Sequence, residues 1–322
     1  METQTYNNFF RDRTVLITGG AGFIGSSLAS TLVSLGANVR VLDDFSTGHK
    51  SNVEQLEVEV FEGSILDEAI LQRSISGCDC IFHLAAMVSV PASVKNPDSC
   101  FEINSHGTTL LLQHAAVIGV RRVIFAASSS VYGPYAALPS NETMIPDPAS
   151  PYAESKLAGE KAIRFCASTT NTDAVSLRYF NIFGPKQDPH SQYAAVVAAF
   201  MQALLNKRNP QMFGDGSQTR DFTFIDNAVH ANLLAASNKA PLSGEVFNIG
   251  TGSSYSLLEM LESMTKALGV KPTVDFHAMR EGDVPHSCAD ISKAKNAFGY
   301  EPVVSFKEGI SRLFTGLAGL PA

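Results

Sequence analysis

The sequence predicts an α/β fold: a doubly wound parallel sheet with helices on both faces, followed by a second, smaller α/β lobe. Three observations carry this prediction. Short apolar, β-rich runs alternate with segments of helical period through residues 1–180. A glycine-rich turn joins the first such run to the first helical segment. After Asn181 the texture changes to long loops rich in Gly, Pro and charge, with shorter helices between them.

Residues 14–18 (TVLIT) read as a strand, GGAGFIG as a tight turn, SSLASTLVSLG as a helix closed by glycine, and ANVRVLDD as a strand ending in acid. Strand, turn, helix and strand make one βαβ unit. The alternation continues with VEVFEG as a strand, DEAILQRSI as a helix and CDCIFHLAA as a strand. A helix over about 98–118 precedes the strand RRVIFAAS. The segment 133–151, rich in Pro, Ser and Asn, is a loop, and the helix that follows leads to the strand DAVSLRYFN. Alternation at this spacing implies parallel strands with right-handed crossovers. In residues 181–322, AAVVAAFMQALL and LLEMLESMTKALG read as helices between loops, a composition suited to a substrate-binding lobe. EVFNIGTG is expected to return to the main sheet.

Composition narrows the function classes. The chain of 322 residues is 45% hydrophobic and 17% charged, an ordinary globular balance. A net charge of -7 and a pI near 5.6 argue against nucleic acid or anionic lipid as a partner. No apolar run approaches the roughly 18 residues that span a bilayer. The first residues, METQTYNNFFRDR, lack an apolar signal core, so a cytoplasmic location is expected. Five scattered cysteines, including Cys78 and Cys80, read as buried thiols rather than metal ligands. A homodimer is expected through helices of the first lobe.

The turn Thr18-Gly19-Gly20-Ala21-Gly22-Phe23-Ile24-Gly25 places glycines at 19, 22 and 25. That spacing allows a sharp turn, close backbone approach to a pyrophosphate and tight helix–strand packing. The helix start, with Phe23 and Ile24, presents N–H groups to the phosphates. Asp43, ending the next strand, is placed to accept from the adenosine ribose hydroxyls, and its charge would repel a 2′-phosphate. NAD is therefore the expected cofactor, in a Rossmann-type site. Asp44 is the neighbouring alternative. Leu84, Ala85 and Ala86 follow a strand end where a dinucleotide would pass. His83 reads as a hydrogen-bonded, partly buried strand-end histidine rather than a catalytic group. Asn104, mid-helix where Asn is disfavoured, hints at a bridge between backbone and active site.

Tyr152 and Lys156 lie four residues apart in SPYAESKLAGEKA, on one helix face. A nearby ammonium would stabilise phenolate and lower the tyrosine pKa, making Tyr152 a candidate base. One of the upstream hydroxyls Ser128, Ser129 and Ser130 would hold the substrate oxygen whose proton moves.

TGGAGFIG, HLAA, SSSVYG, PYAESK and RYFNIFGP together resemble the extended short-chain dehydrogenase/reductase family. Within it the chain looks most like NAD-dependent UDP-hexose 4-epimerases. RYFNIFGPKQDP, GDGSQTRDF and REGDVPHSCADISKA resemble the bacterial UDP-N-acetylglucosamine 4-epimerases. The resemblance implies that Tyr152 takes and returns the sugar 4-OH proton, that Lys156 supports it and binds nicotinamide ribose, and that Ser128 is the small hydroxyl residue. Related 4,6-dehydratases carry Asp-Glu where this chain has Ser129 and Ser130, which points away from dehydration.

The resemblance also implies that Arg220 and Arg280 meet the diphosphate of a UDP-sugar. Asn181 would touch phosphate or sugar, Asp283 the uridine ribose, Phe213 or Gln211 the uracil, and Ser89 and Gln187 the sugar or its 2-substituent. Ser287 stands where epimerases restricted to UDP-glucose and UDP-galactose carry a bulky Tyr. It reads either as room for a 2-acetamido group or as an ordinary loop serine. Ser64 departs from the Asp that relatives place against adenine. The expected activity is 4-epimerisation of UDP-GlcNAc/UDP-GalNAc, extending to UDP-Glc/UDP-Gal. UDP-glucuronate 4-epimerisation and net nucleotide-sugar oxidoreduction are the alternatives.

Overall fold

Apolar residues run almost unbroken along the central strands and point by turns to the two faces of the sheet, and that organises the molecule. The computed structural model describes residues 6, 8–187, 196–279 and 284–315. Its first half runs β1 (Thr14–Thr18), α1 (Phe23–Ser34), β2 (Asn38–Asp43), β3 (Val58–Glu62), α2 (Glu68–Ile75), β4 (Cys80–His83) and α3 (Val90–Lys95). There follow α4 (Pro97–Phe101), a π turn (Glu102–His106), α5 (Gly107–Ile118), β5 (Arg122–Ser128), α6 (Pro151–Thr169) and β6 (Asp173–Tyr179). The second half adds β7 (Ile182–Phe183), α7 (Val196–Leu205), β8 (Gln211–Phe213), β9 (Thr219–Arg220), β10 (Thr223–Phe224) and α8 (Ile225–Ser237). It ends with β11 (Val246–Ile249), β12 (Tyr255–Ser256), α9 (Leu257–Leu268), β13 (Asp275–His277), α10 (Ser292–Phe298) and α11 (Phe306–Thr315).

Seven strands form one parallel sheet in the order β11-β6-β5-β4-β1-β2-β3. Ile17, Phe82, Ile124 and Val175 point to one face, where α1 and α8 cover them. Leu16, Ile81, Val123 and Ala174 point to the other, under α2, α5 and α6. Both faces are therefore apolar and both are covered, as a parallel sheet requires. The remaining strands pair in twos: β7 with β10, β9 with β12 and β8 with β13. β11 joins the main sheet beside β6, so the chain returns to the sheet after building the β7–β10 region.

Two features differ from the sequence expectation. The helix expected at about 98–118 is interrupted by the π turn, and it closes at Gly119 in the left-handed region (φ 82°). Helix α8 was not singled out in the sequence. Ten of its residues are buried, so it lacks the polar stripe by which a surface helix announces itself. Among the described residues no helix is long and apolar enough to cross a membrane.

Arg122 fastens the end of α8 to the sheet. It is wholly buried at the start of β5, and its Nε donates to Asp173 Oδ2 at 2.6 Å. Its Nη1 donates to the carbonyls of Ala235 (2.7 Å) and Asn238 (2.8 Å), and its Nη2 to that of Ala240 (2.8 Å). One guanidinium thus satisfies carbonyls left open at the helix C-terminus and complements the negative end of the dipole. Replacing Arg122 with Met leaves Asp173 and these carbonyls short of donors. The expected loss is about 3–5 kcal/mol of stability, read as a fall in Tm and urea midpoint. A midpoint within error of the wild type would show that this fastening contributes nothing.

Candidate active site

The carboxyl ends of β1, β4, β5 and β6 lie side by side, because parallel register sets Thr18 beside His83, His83 beside Phe125 and Ser128 beside Tyr179. The glycine turn leaves this edge from β1. Gly19 has φ +68°, and a Cβ there would stand 2.7 Å from the Ala85 backbone nitrogen, so only glycine lets the turn pack against the end of β4. At Gly25 a Cβ would meet the Gly19 carbonyl oxygen at 2.2 Å, which makes glycine necessary for the helix to lie against the turn. Gly22 is the N-cap of α1. No side chain caps this helix and its first turn holds no acid, so the N–H groups about Phe23 and Ile24 are left to an anion.

Asp43 stands at the rim of this turn, buried. Its Oδ2 accepts from Ala21 N at 2.8 Å and its Oδ1 from Phe45 N at 2.9 Å. Burial pushes its carboxyl above the ordinary value and the two N–H donors pull it back. Both oxygens keep acceptor capacity for ribose hydroxyls. Asp44 is exposed and turns instead onto Ser46, so Asp43 is the acid that faces the turn. An uncapped helix start, a turn in which a Cβ would clash and an adjacent buried carboxylate together fit a dinucleotide. Ser64 accepts from Leu66 N at 3.2 Å and closes its own loop.

His83 is structural. It is buried, with Nδ1 2.7 Å from Thr18 Oγ1 and Nε2 2.9 Å from Thr108 Oγ1. Thr18 Oγ1 in turn accepts from Ala85 N at 3.2 Å. The histidine thereby holds the turn before Leu84, Ala85 and Ala86 in place. Burial and the nearby Lys156 charge push its pKa down to about 3, so the ring is neutral.

Tyr152 and Lys156 occupy the first turns of α6. Ser150 caps the helix by accepting from Ala153 N at 3.2 Å, and Pro151 holds the position where no N–H is needed. Of the three serines, Ser128, which ends β5, is the one that acts on the Tyr152 phenol, pulling its pKa down. Ser130 donates to the Ser128 oxygen at 2.9 Å, and Ser129 and Ser130 begin a short 3-10 turn. Lys156 Nζ donates to the Ala126 carbonyl at 2.9 Å and lies 6.0 Å from the Tyr152 ring centroid.

The protonation of this pair departs from the sequence expectation. Burial raises the Tyr152 phenol above its ordinary value, and Ser128 only partly offsets that. In the protein alone the Lys156 ammonium, which donates to the Ala126 carbonyl, does not offset this. The Lys156 pKa is itself pushed down to about 8 by burial.

Asn104 sits in the π turn, buried, and its amide is engaged by protein. Its Oδ1 accepts from Met87 N at 2.7 Å, while Nδ2 donates to Met87 O at 3.1 Å and to Ser155 Oγ at 2.9 Å. Ser155 Oγ donates to the Tyr152 carbonyl at 2.8 Å, and Tyr152 N donates to Ser93 Oγ at 3.1 Å. The bridge that the sequence suggested for Asn104 runs between the loop after β4 and, through Ser155, the Tyr152 backbone. Ser155 and Ser93 escaped the sequence reading, although Ser155, three residues past Tyr152 on a helix, carried the spacing that could have found it.

On the opposite side, Ser287 Oγ donates to Asn181 Oδ1 at 3.3 Å, joining two residues 106 positions apart. Gln187 Nε2 donates to Ile182 O at 3.2 Å. Arg220 is buried on β9, and its Nη1 donates to the carbonyls of Thr219 (2.9 Å) and Pro285 (3.2 Å). Phe213 stacks on His277 with centroids 5.2 Å apart, at the β8–β13 pair that begins with Gln211. Ser89 caps α3, accepting from Ala92 N at 3.1 Å. Arg280 and Asp283 lie outside the described residues. Among the described residues no group of three or more His, Cys, Asp or Glu is arranged to hold a metal ion.

Known proteins bear on this arrangement. The UDP-glucose 4-epimerase of Mycolicibacterium smegmatis is 39% identical over 305 residues, spanning 92% of this chain and 96% of the relative. The Thermus thermophilus UDP-glucose 4-epimerase, solved in complex with NAD, superposes with a TM-score of 0.87 at 33% identity, covering 96% of this chain and 100% of that one. The UDP-N-acetylglucosamine 4-epimerase from Methanobrevibacter ruminantium, solved in complex with UDP-N-acetylmuramic acid, gives a TM-score of 0.91 at 33% identity, covering 96% and 99%. Residues 15–250, from the first strand through the last strand of the sheet, match one family along their whole length, and its cofactor is the one the glycine turn and Asp43 fit: the chain belongs to the NAD-dependent epimerase/dehydratase family.

Proposed function

We propose that the chain is an NAD-dependent UDP-hexose 4-epimerase that interconverts UDP-GlcNAc and UDP-GalNAc and also accepts UDP-Glc and UDP-Gal. The observation that carries the reaction is the placement of Tyr152 and a buried Lys156 in the first turns of α6, with Ser128 acting on the Tyr152 phenol and serines at 129 and 130 rather than an acid–base pair. Epimerisation needs one group that takes a proton and gives it back. Elimination of water needs a further acid and base, which hydroxyls do not supply at neutral pH.

Gly19, Gly22, Gly25, the N–H groups of α1 and Asp43 would hold NAD. When bound, NAD supplies the hydride acceptor and donor at sugar C4, and its oxidised ring adds positive charge to the site. Tyr152 receives the 4-OH proton as the 4-keto sugar forms and returns it after the sugar presents its other face. Ser128 holds the 4-oxygen through that exchange, and the Lys156 ammonium favours the phenolate. Arg220 would face the diphosphate.

The preference for a 2-acetamido sugar rests on Ser287. Its side chain, small where the epimerases restricted to UDP-glucose and UDP-galactose carry a Tyr, lies beside Asn181. Among the described residues Gln187 Oε1 is buried without a hydrogen-bond partner, an acceptor of the kind an acetamido N–H satisfies.

Purified protein incubated separately with UDP-GlcNAc, UDP-Glc and UDP-glucuronate, and followed by NMR, should yield the 4-epimers of the first two. No epimer from any of the three would end this reading, and turnover of UDP-glucuronate alone would redirect it. Ser287→Tyr should cut kcat/KM for UDP-GlcNAc by about 100-fold, in line with the 1–3 kcal/mol by which a pocket separates substrates, while UDP-Glc changes little. Equal loss on both substrates would remove Ser287 from specificity.

Tyr152→Phe should lower kcat by about 10²–10⁴-fold while UDP binding persists. Near-normal turnover would exclude Tyr152 as the base. The charge on Lys156 also sets a pH limit. Its pKa is depressed from the ordinary lysine value to about 8, so the ammonium is present below that pH and lost above it. kcat/KM should therefore fall as pH rises through about 8. A profile flat to about pH 9.5 would mean that this charge is not used.

A further inference from the structure

Asp221 lies outside the reaction as described, yet it is among the most heavily hydrogen-bonded carboxylates in the structure. It is wholly buried, immediately after Arg220. Its Oδ1 accepts from Thr251 N (2.8 Å), Thr251 Oγ1 (2.7 Å) and Thr223 Oγ1 (3.2 Å). Its Oδ2 accepts from Gly252 N (3.0 Å) and Ala289 N (3.2 Å). These donors come from three separate stretches of chain: the start of β10, the loop leaving β11 and the segment that carries Ser287. A Cβ at Gly250 would stand 2.7 Å from Oδ2, so that loop is built close around the carboxylate.

The same segments frame the sugar-nucleotide side. Thr219 N donates to Pro285 O at 3.1 Å and Ser287 N donates to Thr219 O at 3.0 Å, a short bridge on one side of Arg220. On the other side Thr223 N donates to Asn181 O at 2.9 Å. Asp221 is thus the point at which the carriers of Arg220, Ser287 and Asn181 are tied together. An ionised carboxylate is acceptor-only and can serve donors on both oxygens, whereas an amide would turn an NH2 toward one of these donor groups.

Resting on the reading that Arg220 and Ser287 meet the UDP-sugar, we infer that Asp221 is the positioning residue of the sugar-nucleotide half of the site, setting Arg220 and Ser287 against Asn181 without serving the cofactor half. It touches neither the glycine turn nor the Ser128–Tyr152–Lys156 group. Its loss should therefore weaken substrate binding and leave the chemistry and the cofactor in place.

The test is Asp221→Asn in the full chain, read by NAD bound per chain, UDP affinity by calorimetry, and KM and kcat for the UDP-sugar turned over. The expected result is NAD content equal to wild type, with UDP Kd and KM raised about tenfold or more, the scale of hydrogen bonds to a charged group. kcat should stay within about threefold. UDP Kd and KM within about twofold of wild type, or a fall in kcat at unchanged KM, would overturn the inference. So would loss of NAD alongside UDP affinity. Should Asp221→Asn not fold, Thr251→Val decides by the same criteria: it removes one hydroxyl donor, keeps the backbone N–H, and should raise UDP Kd and KM by about threefold or more. Wild-type protein that carries NAD but does not bind UDP would defeat the functional reading itself. Wild-type binding left unmoved in these variants defeats the inference alone.

Discussion

Parallel register at the carboxyl edge of the sheet is the constraint on which the rest depends. Each strand must end on the same side as its neighbours, so β1, β4, β5 and β6 deliver the glycine turn, His83, Ser128 and Asn181 to one rim. Nothing in their sequence separation requires this; the pairing does. The close approach of Gly19 to Ala85 then determines how near two of these ends can come. His83 holds them there through Thr18 and Thr108, two hydroxyls that a buried neutral imidazole can bridge.

Burial sets the electrostatics around this rim. A second cation beside Lys156 would compete with it, and the desolvated His83 remains uncharged. One helical turn beyond Lys156, Glu160 is buried in a two-bonded pair with Arg178, each bond 2.7 Å. Glu160 also contributes a favourable field to the Lys156 ammonium, smaller than the desolvation that opposes it. The result is a lysine that keeps its charge at neutral pH with little margin. The phenol beside it stays protonated in the protein alone, because desolvation outweighs the effect of Ser128. Its ionisation is therefore linked to what fills the site rather than built into the fold.

Much of the main sheet was legible because each signal was local: an apolar run, a glycine spacing, a helix period, an acid at a strand end. The shared helix face of Tyr152 and Lys156, and an acid at the end of β2, were legible for the same reason. What could not be read depends on distant contacts. The π turn at Glu102–His106 accompanies bonds from Asn104 to Met87 and Ser155, which no pattern within the helix encodes. Helix α8 is buried on most sides, so its apolar residues show no stripe. Asp221 looks like any acid in a loop until three chain segments close on it. The tyrosine pKa was misjudged because sequence spacing gives a separation along a helix and says nothing of desolvation.

The placement of β11 has a consequence for how such an enzyme changes its preferences. The chain leaves the sheet after β6, builds Asn181 to Phe224, returns through α8 and β11, and leaves again toward Ser287. The parts we propose to face the sugar are two excursions hung from strands whose own residues face the core. Exchange of side chains within those excursions alters what is recognised while the sheet, the glycine turn and the reacting tyrosine keep their supports. Drift in specificity is thereby decoupled from drift in foldedness, except at the few buried groups, Asp221 foremost, that hold both excursions at once.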